Sequence, residues 1–296
     1  MGLNNELPKS NMSYVSCNLC GDDNTKLVFE KDGFKHVKCK ICGLVYVNPR
    51  LNDVIKNQNL IGNNFVYEHE GIDETAQSDY SGKRKLRLQN EARGYLQYNT
   101  EGHIIDIGCG AGGFLKAAKD TGWNYPEGIE VVETLAEYAR KFFPVHMTPV
   151  EETGLYEDCF DVVRLNNVIE HLSDPKRVVS EIFRILRPGG LFTLSTPNID
   201  SISVRMCGKE WQYFGGDDHI YLFSPETLSR MLTETGFKIV SIYTKGTHLA
   251  PKHHNKNRTK FELLQDKIVK PFEKLTDQVV RHTLLGHRLK LMAVKP

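Results

Sequence analysis

Residues 103 to 115 read HIIDIGCGAGGFL: an apolar run, then four glycines within six positions, then a return to helix-forming residues. The run predicts a buried strand, the glycines a tight turn, and the residues from Gly113 onward a helix. A turn of this kind opens a helix N-terminus, with its free N–H groups, towards a ligand. Gly108, Gly110 and Gly113 fit the pattern G-x-G-x-x-G, whereas Gly108, Gly110 and Gly112 fit G-x-G-x-G behind an acid, Asp106. Spacing alone admits both patterns.

The surrounding chain sets the context. After the glycine turn, predicted helices GFLKAAKDTG, TLAEYARKFF, DPKRVVSEIFRILRPGG and SPETLSRMLTETG alternate with strands PEGIEVV, VHMTP, FDVVRLNNVI, LFTLSTPN and KIVSIYTKG. This alternation predicts an α/β domain with a parallel sheet covered on both faces. The chain closes on GHRLKLMAVKP, which alternates as a strand. Ahead of the domain, SDYSGKRKLRLQNEARGYLQY puts Tyr80, Leu86, Leu88, Tyr95 and Leu96 on a predicted amphipathic helix, with a shorter helix in LNDVIKNQNLIGNNF before it. The expected organisation is a small module over 1–50, a helical connector over 51–100, and the α/β domain over 101–296. A helical insertion is expected at about 247–285, behind the basic stretch THLAPKHHNKNRTK.

Composition narrows the classes of partner. Thirty-eight basic and thirty-seven acidic side chains leave a formal charge of +1, so no global field draws in nucleic acid or an anionic membrane. No apolar run approaches the ~18 residues of a membrane span, and the N-terminus lacks a basic-then-apolar leader pattern. The expectation is a cytoplasmic protein whose partner is a small molecule, with nucleic acid unfavoured; nothing fixes the oligomeric state.

Four of the seven cysteines form two pairs, Cys17/Cys20 and Cys39/Cys42, each followed by glycine (Gly21, Gly43). Two C-x-x-C-G knuckles separated by eighteen residues are the pattern of a four-thiolate metal site. Gly21 and Gly43 let the backbone turn so that N–H groups face the sulfurs. Zinc is expected, with iron as the alternative, and four thiolates leave no open coordination position, so the role is structural.

Charge separates the two glycine readings. A dinucleotide pyrophosphate would be repelled by Asp106, whereas S-adenosylmethionine carries an ammonium and a sulfonium that an acid favours. Glu130, 22 residues after Gly108 at the end of the next strand, suits the ribose hydroxyls of either ligand.

The segments IIDIGCGAGGFL, EGIEVVETLAEYAR, CFDVVRLNNVIEHLSDP and ILRPGGLFTLSTPN, in this order and spacing, resemble a class I S-adenosylmethionine-dependent methyltransferase over about 103–243 and again at 286–296. The N-terminal segment resembles the zinc ribbon that precedes such domains. The resemblance implies a seven-stranded sheet of order 3-2-1-4-5-7-6 with an antiparallel last strand, and O-methylation of a sugar or other metabolite hydroxyl. An RNA acceptor read by the ribbon, or a non-catalytic binding protein, are the alternatives. It also implies that Asp106, Gly108, Gly110 and Gly112 hold the methionine end and Glu130 the ribose. Val131 and Glu151 would meet the adenine, and Leu165 and Asn166 the methionine and sulfonium.

Two histidines are placed for proton transfer. His171 follows the fourth strand at the carboxyl edge, where open α/β sheets bind ligands, and His219 lies in the loop after the fifth. Asp217 and Asp218 are candidates to orient His219. Glu170 and His171 are also similar to the E-x-x-E-H metal array of quinone O-methyltransferases, but Asn167 takes the first acid's place, so no catalytic metal is expected. Trp211, Tyr213, Phe214 and Tyr221 are candidate walls of the acceptor pocket. His253 and His254 read as solvated loop residues.

Overall fold

The computed structural model describes residues 11–52, 80–214, 219–247 and 279–296. The shorter connector helix, Asp217, Asp218, His253, His254 and most of the predicted insertion lie outside the described residues; residues 279–283 are helical.

The N-terminal module consists of β1 (Met12–Ser13), β2 (Thr25–Lys31), β3 (Phe34–Cys39), β4 (Val45–Val47) and β5 (Arg50–Leu51). Strands β2, β3 and β4 form an antiparallel sheet with one cysteine knuckle on each side of the β2–β3 hairpin. Gly21 and Gly43 both have φ near +80°, and their N–H groups donate to the carbonyls of Cys17 and Cys39 at 2.7 and 3.0 Å.

The α/β domain begins with α1 (Gly82–Gly94). It continues through β6 (His103–Ile107), α2 (Gly113–Asp120), β7 (Tyr125–Ile129), α3 (Glu133–Arg140), β8 (Val145–His146) and β9 (Phe160–Asn166). Next come α4 (Pro175–Ile185), β10 (Leu186–Pro197), α5 (Ile202–Cys207), β11 (Tyr221–Leu222), α6 (Pro225–Thr235), β12 (Lys238–Lys245) and β13 (Arg288–Val294). The sheet order is β12-β13-β10-β9-β6-β7-β8. Its core pairs are parallel, and β13 runs antiparallel to both β10 and β12, which is the expected order and polarity. Two helices start on Pro behind a capping side chain: Asp174 accepts from Arg177 N, and Ser224 and Thr227 form a reciprocal capping box. The helix expected to run through RPGG stops at Ile185 instead. Pro188 disfavours helical backbone at Arg187, and Gly189 has φ +79°, so β10 begins at Leu186 with a bulge before Leu191.

Strand alternation assigns the two faces of the sheet. Ile105, Val163, Leu165, Phe192 and Leu194 pack with α4 and α6 in a cluster that also contains Cys17, Leu19, Leu44 and Tyr46 of the N-terminal module. On the other face Ile104, Val162 and Leu191 meet α1 and α2 through Leu88, Ala92, Tyr95, Phe114 and Trp123. Trp123 Nε1 donates to the Ala92 carbonyl at 3.1 Å, tying α1 to the chain after α2. Leu86, expected on the apolar face of α1, is 59% exposed, because two positions before Leu88 is roughly 200° around a helix.

The α1 face carries a buried ionic network. Asp106 and Arg164 are register partners on β6 and β9, and Arg164 Nη1 donates to Asp106 Oδ1 at 2.8 Å. Glu91 of α1 accepts from Arg164 Nε at 3.2 Å and from Tyr95 Oη at 2.9 Å, and it pairs with Lys290 of β13 at 3.4 Å. Burial pushes Asp106 up, to about 6, against the pull of Arg164. Burial also works against ionised Glu91, but Arg164 and Lys290 together outweigh it and hold Glu91 down at about 2. Removing the shared guanidinium strands two buried carboxylates, so Arg164→Met is expected to lower unfolding stability by about 3–5 kcal/mol in urea titration. A loss under about 1 kcal/mol would show that the network does not hold α1 in place.

Candidate active site

The glycine turn after β6 is shaped by its surroundings. Gly108, Gly110 and Gly112 have φ of +75°, +55° and +84°, which side chains other than glycine rarely adopt. A Cβ on Gly108 would lie 2.4 Å from Val168 Cγ2, so the turn abuts the segment that follows β9; a Cβ on Gly110 would meet nothing within 4 Å. Across the turn, Glu130 is 8% exposed. Its Oε2 accepts from Gly110 N at 2.8 Å and its Oε1 from Val132 N at 2.9 Å, while burial raises its pKa against these backbone bonds. Each oxygen keeps acceptor capacity for a hydroxyl. A buried, oriented acid beside open backbone fits the ribose end of S-adenosylmethionine.

The other predicted ligand residues are placed unequally. Asp106 lies behind the turn, 1% exposed and committed to Arg164, so the geometry differs from the expectation of an acid facing an ammonium directly. Leu165 is fully buried in the core, one residue before the end of β9. Asn166 is half-buried and its Oδ1 accepts from Ser195 Oγ. Val131 is 51% exposed beside the turn, and Glu151 is half-buried in the short turn Val150–Glu152.

The two histidines come together. Their rings lie 4.6 Å apart, His171 in the turn Ile169–His171 after β9 and His219 just before β11. Glu170 is 1% exposed; its Oε1 is 4.0 Å from His171 Nε2, and its Oε2 accepts from Thr196 Oγ1 at 2.9 Å. One ligand atom from each of Glu170, His171 and His219 lies within 4.8 Å of the others. Tyr213 sits 5.6 Å from His219, and its ring is nearly parallel to that of His287, 6.4 Å away. His287 was not expected at the site. It precedes the last strand, whose antiparallel direction brings its first residue to the carboxyl edge, so the predicted β13 was the signal for it.

The residue after His219 is held from both sides by main chain. Ile220 N donates to the Glu170 carbonyl at 3.0 Å, and Val47 N of β4 donates to the Ile220 carbonyl at 3.0 Å. Strand β11 then pairs antiparallel with β4, extending the sheet of the N-terminal module to β11-β4-β3-β2. Arg50 adds bonds to Tyr221 Oη at 2.9 Å and to the Ser173 carbonyl at 3.0 Å. Of the four aromatic residues expected to wall the acceptor pocket, Tyr213 lines the cavity that also holds Asn166 and His287, whereas Phe214 lines a separate one against β2 and β4. Trp211, Phe214 and Tyr221 are at most 5% exposed and join the two parts of the chain, with Phe214 3.9 Å from Phe29 of β2 and Tyr221 6.2 Å from Tyr46 of β4.

In the N-terminal module the four cysteine sulfurs lie within 4.8 Å of one another, with Cys17–Cys42 at 3.3 Å and Cys20–Cys39 at 3.5 Å. Tetrahedral zinc with Zn–S of about 2.3 Å places sulfurs about 3.8 Å apart, so the donor set and its spacing fit. Although burial opposes it, the backbone N–H groups of Cys42 and Ile41 hold Cys39 down at about 7.

Among the described residues no helix is long and apolar enough to cross a membrane. A family model described as a methyltransferase domain matches residues 78–242. The malonyl-[acyl-carrier protein] O-methyltransferase of Serratia marcescens is 26% identical over 130 residues, covering 43% of this chain and 50% of that protein. The chain therefore spans half the length of that relative. A ubiquinone biosynthesis O-methyltransferase of Coxiella burnetii is 26% identical over 204 residues, covering 63% of this chain and 84% of that one. The solved structure of a SAM-dependent methyltransferase from Archaeoglobus fulgidus superposes with a TM-score of 0.52 at 22% identity, over 74% of this chain and 97% of that one, and shows the shared fold. With more than half of its length matched by the family model, this chain belongs to the methyltransferase-domain family, in the class I S-adenosylmethionine-dependent fold.

Proposed function

We propose that the protein transfers a methyl group from S-adenosylmethionine to a hydroxyl of a small-molecule acceptor, with His219 as the base and a structural zinc in the N-terminal ribbon. The observation that carries this reading is the closeness of the glycine turn to the segment after β9: Val168 leaves no room for a side chain at Gly108, and three residues later His171 stands against His219. The ligand-holding turn and the histidine pair thus share one carboxyl edge.

When bound, S-adenosylmethionine supplies a methyl group on a sulfonium. Glu130 would hold the ribose hydroxyls, and the backbone of Gly108, Gly110 and Gly112 would give the methionine end room. Asn166 would line the approach to the sulfonium, Val131 and Glu151 would flank the adenine, and Leu165 would contribute backbone. Asp106 acts from behind the turn, by fixing Arg164 and with it α1. A hydroxyl gives up its proton with difficulty near neutrality, and histidine is the side chain whose ordinary pKa lies there. The acceptor proton would pass to a His219 nitrogen as the oxygen–carbon bond forms and the methyl–sulfonium bond breaks, its electron pair staying on a neutral thioether sulfur, while His171, Glu170 and the Ile220 main chain fix the direction of the ring.

Three measurements test this reading. Calorimetry with S-adenosylmethionine should show Glu130→Gln binding about tenfold more weakly, because the ribose loses charge-assisted bonds; unchanged affinity in a folded variant would place the ligand elsewhere. His219→Ala should lower turnover by roughly a hundredfold while leaving S-adenosylmethionine affinity nearly intact. Near wild-type turnover would remove His219 from the chemistry. Metal analysis should find about one zinc per chain, and its chelation should reduce turnover as well as loosen the ribbon, because β4 holds the segment carrying His219. Protein that carries no metal and has four freely alkylated cysteines would refute the zinc assignment.

A further inference from the structure

A cavity of about 1040 Å³ lies between one side of α1 and strands β9, β10, β12 and β13. Its inner end reaches the candidate active site through Asn166, Tyr213 and His287, and the Tyr213 ring is 5.6 Å from His219. Its outer walls are cationic on both sides: Lys83 and Arg87 project from α1, and Lys245 and Arg288 stand at the ends of β12 and β13. Two further cations, Arg164 and Lys290, line the floor, but Glu91 and Asp106 neutralise them. Among the described residues of the lining, Glu91 is the one carboxylate. Among the described residues, Lys83, Arg87, Lys245 and Arg288 have no carboxylate partner, although the chain as a whole carries a charge of only +1.

This concentration is local and unfavourable by itself. Arg87 holds its proton less firmly than an ordinary arginine, first through desolvation and then through the charges of Arg84, Arg288 and Arg164, with Glu91 in partial opposition. Like charges gathered in a concave site strengthen the field there, and an anion bound between them relieves the repulsion. A single carboxylate would satisfy one wall. A diphosphate has enough charge and enough oxygens to engage both walls at once, with arginine forks suited to its geometry. The cavity is larger than such an anion requires, which leaves space towards His219 for the organic part that accepts the methyl group.

We propose that the acceptor bears a diphosphate or a comparable multiply anionic group, seated by Lys83, Arg87, Lys245 and Arg288, with its methylated end at Asn166 and His219. This rests on the methyltransferase reading, and the test keeps the two apart. Full-length protein is titrated calorimetrically with inorganic pyrophosphate, with orthophosphate and, separately, with S-adenosylmethionine, at low and high salt. Pyrophosphate is expected to bind at least about tenfold more tightly than orthophosphate and to weaken as salt rises. Arg87→Gln and Arg288→Gln should each weaken pyrophosphate about tenfold while leaving S-adenosylmethionine affinity unchanged. Absent pyrophosphate binding, or binding that the double variant Arg87→Gln/Arg288→Gln does not alter, overturns the proposal even when S-adenosylmethionine binds normally. An unstructured RNA that binds through the same arginines more tightly than pyrophosphate overturns it in favour of a nucleic-acid acceptor. Failure of S-adenosylmethionine to bind the wild-type protein sinks the methyltransferase reading instead, and the pyrophosphate titration then still decides whether the anion site exists.

Discussion

The arrangement of the carboxyl edge depends on one short piece of main-chain pairing, that of β4 with the residues from Ile220 to Leu222. Val47 and Glu170 bond the two sides of Ile220, so the residue after His219 is fixed by the N-terminal ribbon and by the turn after β9 together. A side chain in a loop has many rotamers and a soft backbone beneath it. Backbone bonds on both sides of the neighbouring residue remove most of that freedom before any acceptor arrives, which is what preorganisation requires. The cysteine cluster contributes indirectly, since Cys39 ends β3 and Cys42 leads into β4.

The opposite face of the sheet follows a different logic. There an ionic group joins the apolar packing of α1: Arg164 sits between Asp106 of the sheet and Glu91 of α1, with Lys290 completing the group. Placing these charges under α1 costs desolvation that apolar side chains would avoid. What they add is a fixed floor of known charge beneath a cavity whose walls are cationic. One face of the sheet is thus packed with apolar side chains against α4, α6 and the ribbon, and the other combines an apolar cluster with α1 and α2 and a polar chamber beside it, both set by the alternation along β6, β9 and β10.

Much of this could be read from the chain, and the residues that escaped share a cause. Strand and helix alternation was enough for a parallel α/β sheet, while its strand order came from the resemblance to class I methyltransferases. The cysteine knuckles and the glycine turn were legible because their chemistry is written in short spacings. Arg164 was not, since its significance comes from standing opposite Asp106 on a strand 58 positions away. His287 needed the direction of β13 as well as its existence. Trp211, Phe214 and Tyr221 read equally well as pocket walls or as packing, and the choice depended on a ribbon surface that the sequence does not place. Leu86 was assigned to the wrong side of α1 because apolar residues two apart cannot share a narrow helical stripe.

The pairing of β4 with β11 also bears on where this chain can be cut. The family match begins at residue 78, which invites expression of the methyltransferase portion alone. Such a fragment would lose the partner of β11 and uncover Tyr221, Phe214 and the core surface that Leu19, Leu44 and Tyr46 now seal. An unpaired strand edge beside freshly exposed aromatic side chains is a template for self-association. The limit of recognisable ancestry and the limit of cooperative folding therefore fall at different places in this chain, and a recombinant piece designed on the former inherits an adhesive surface at the latter.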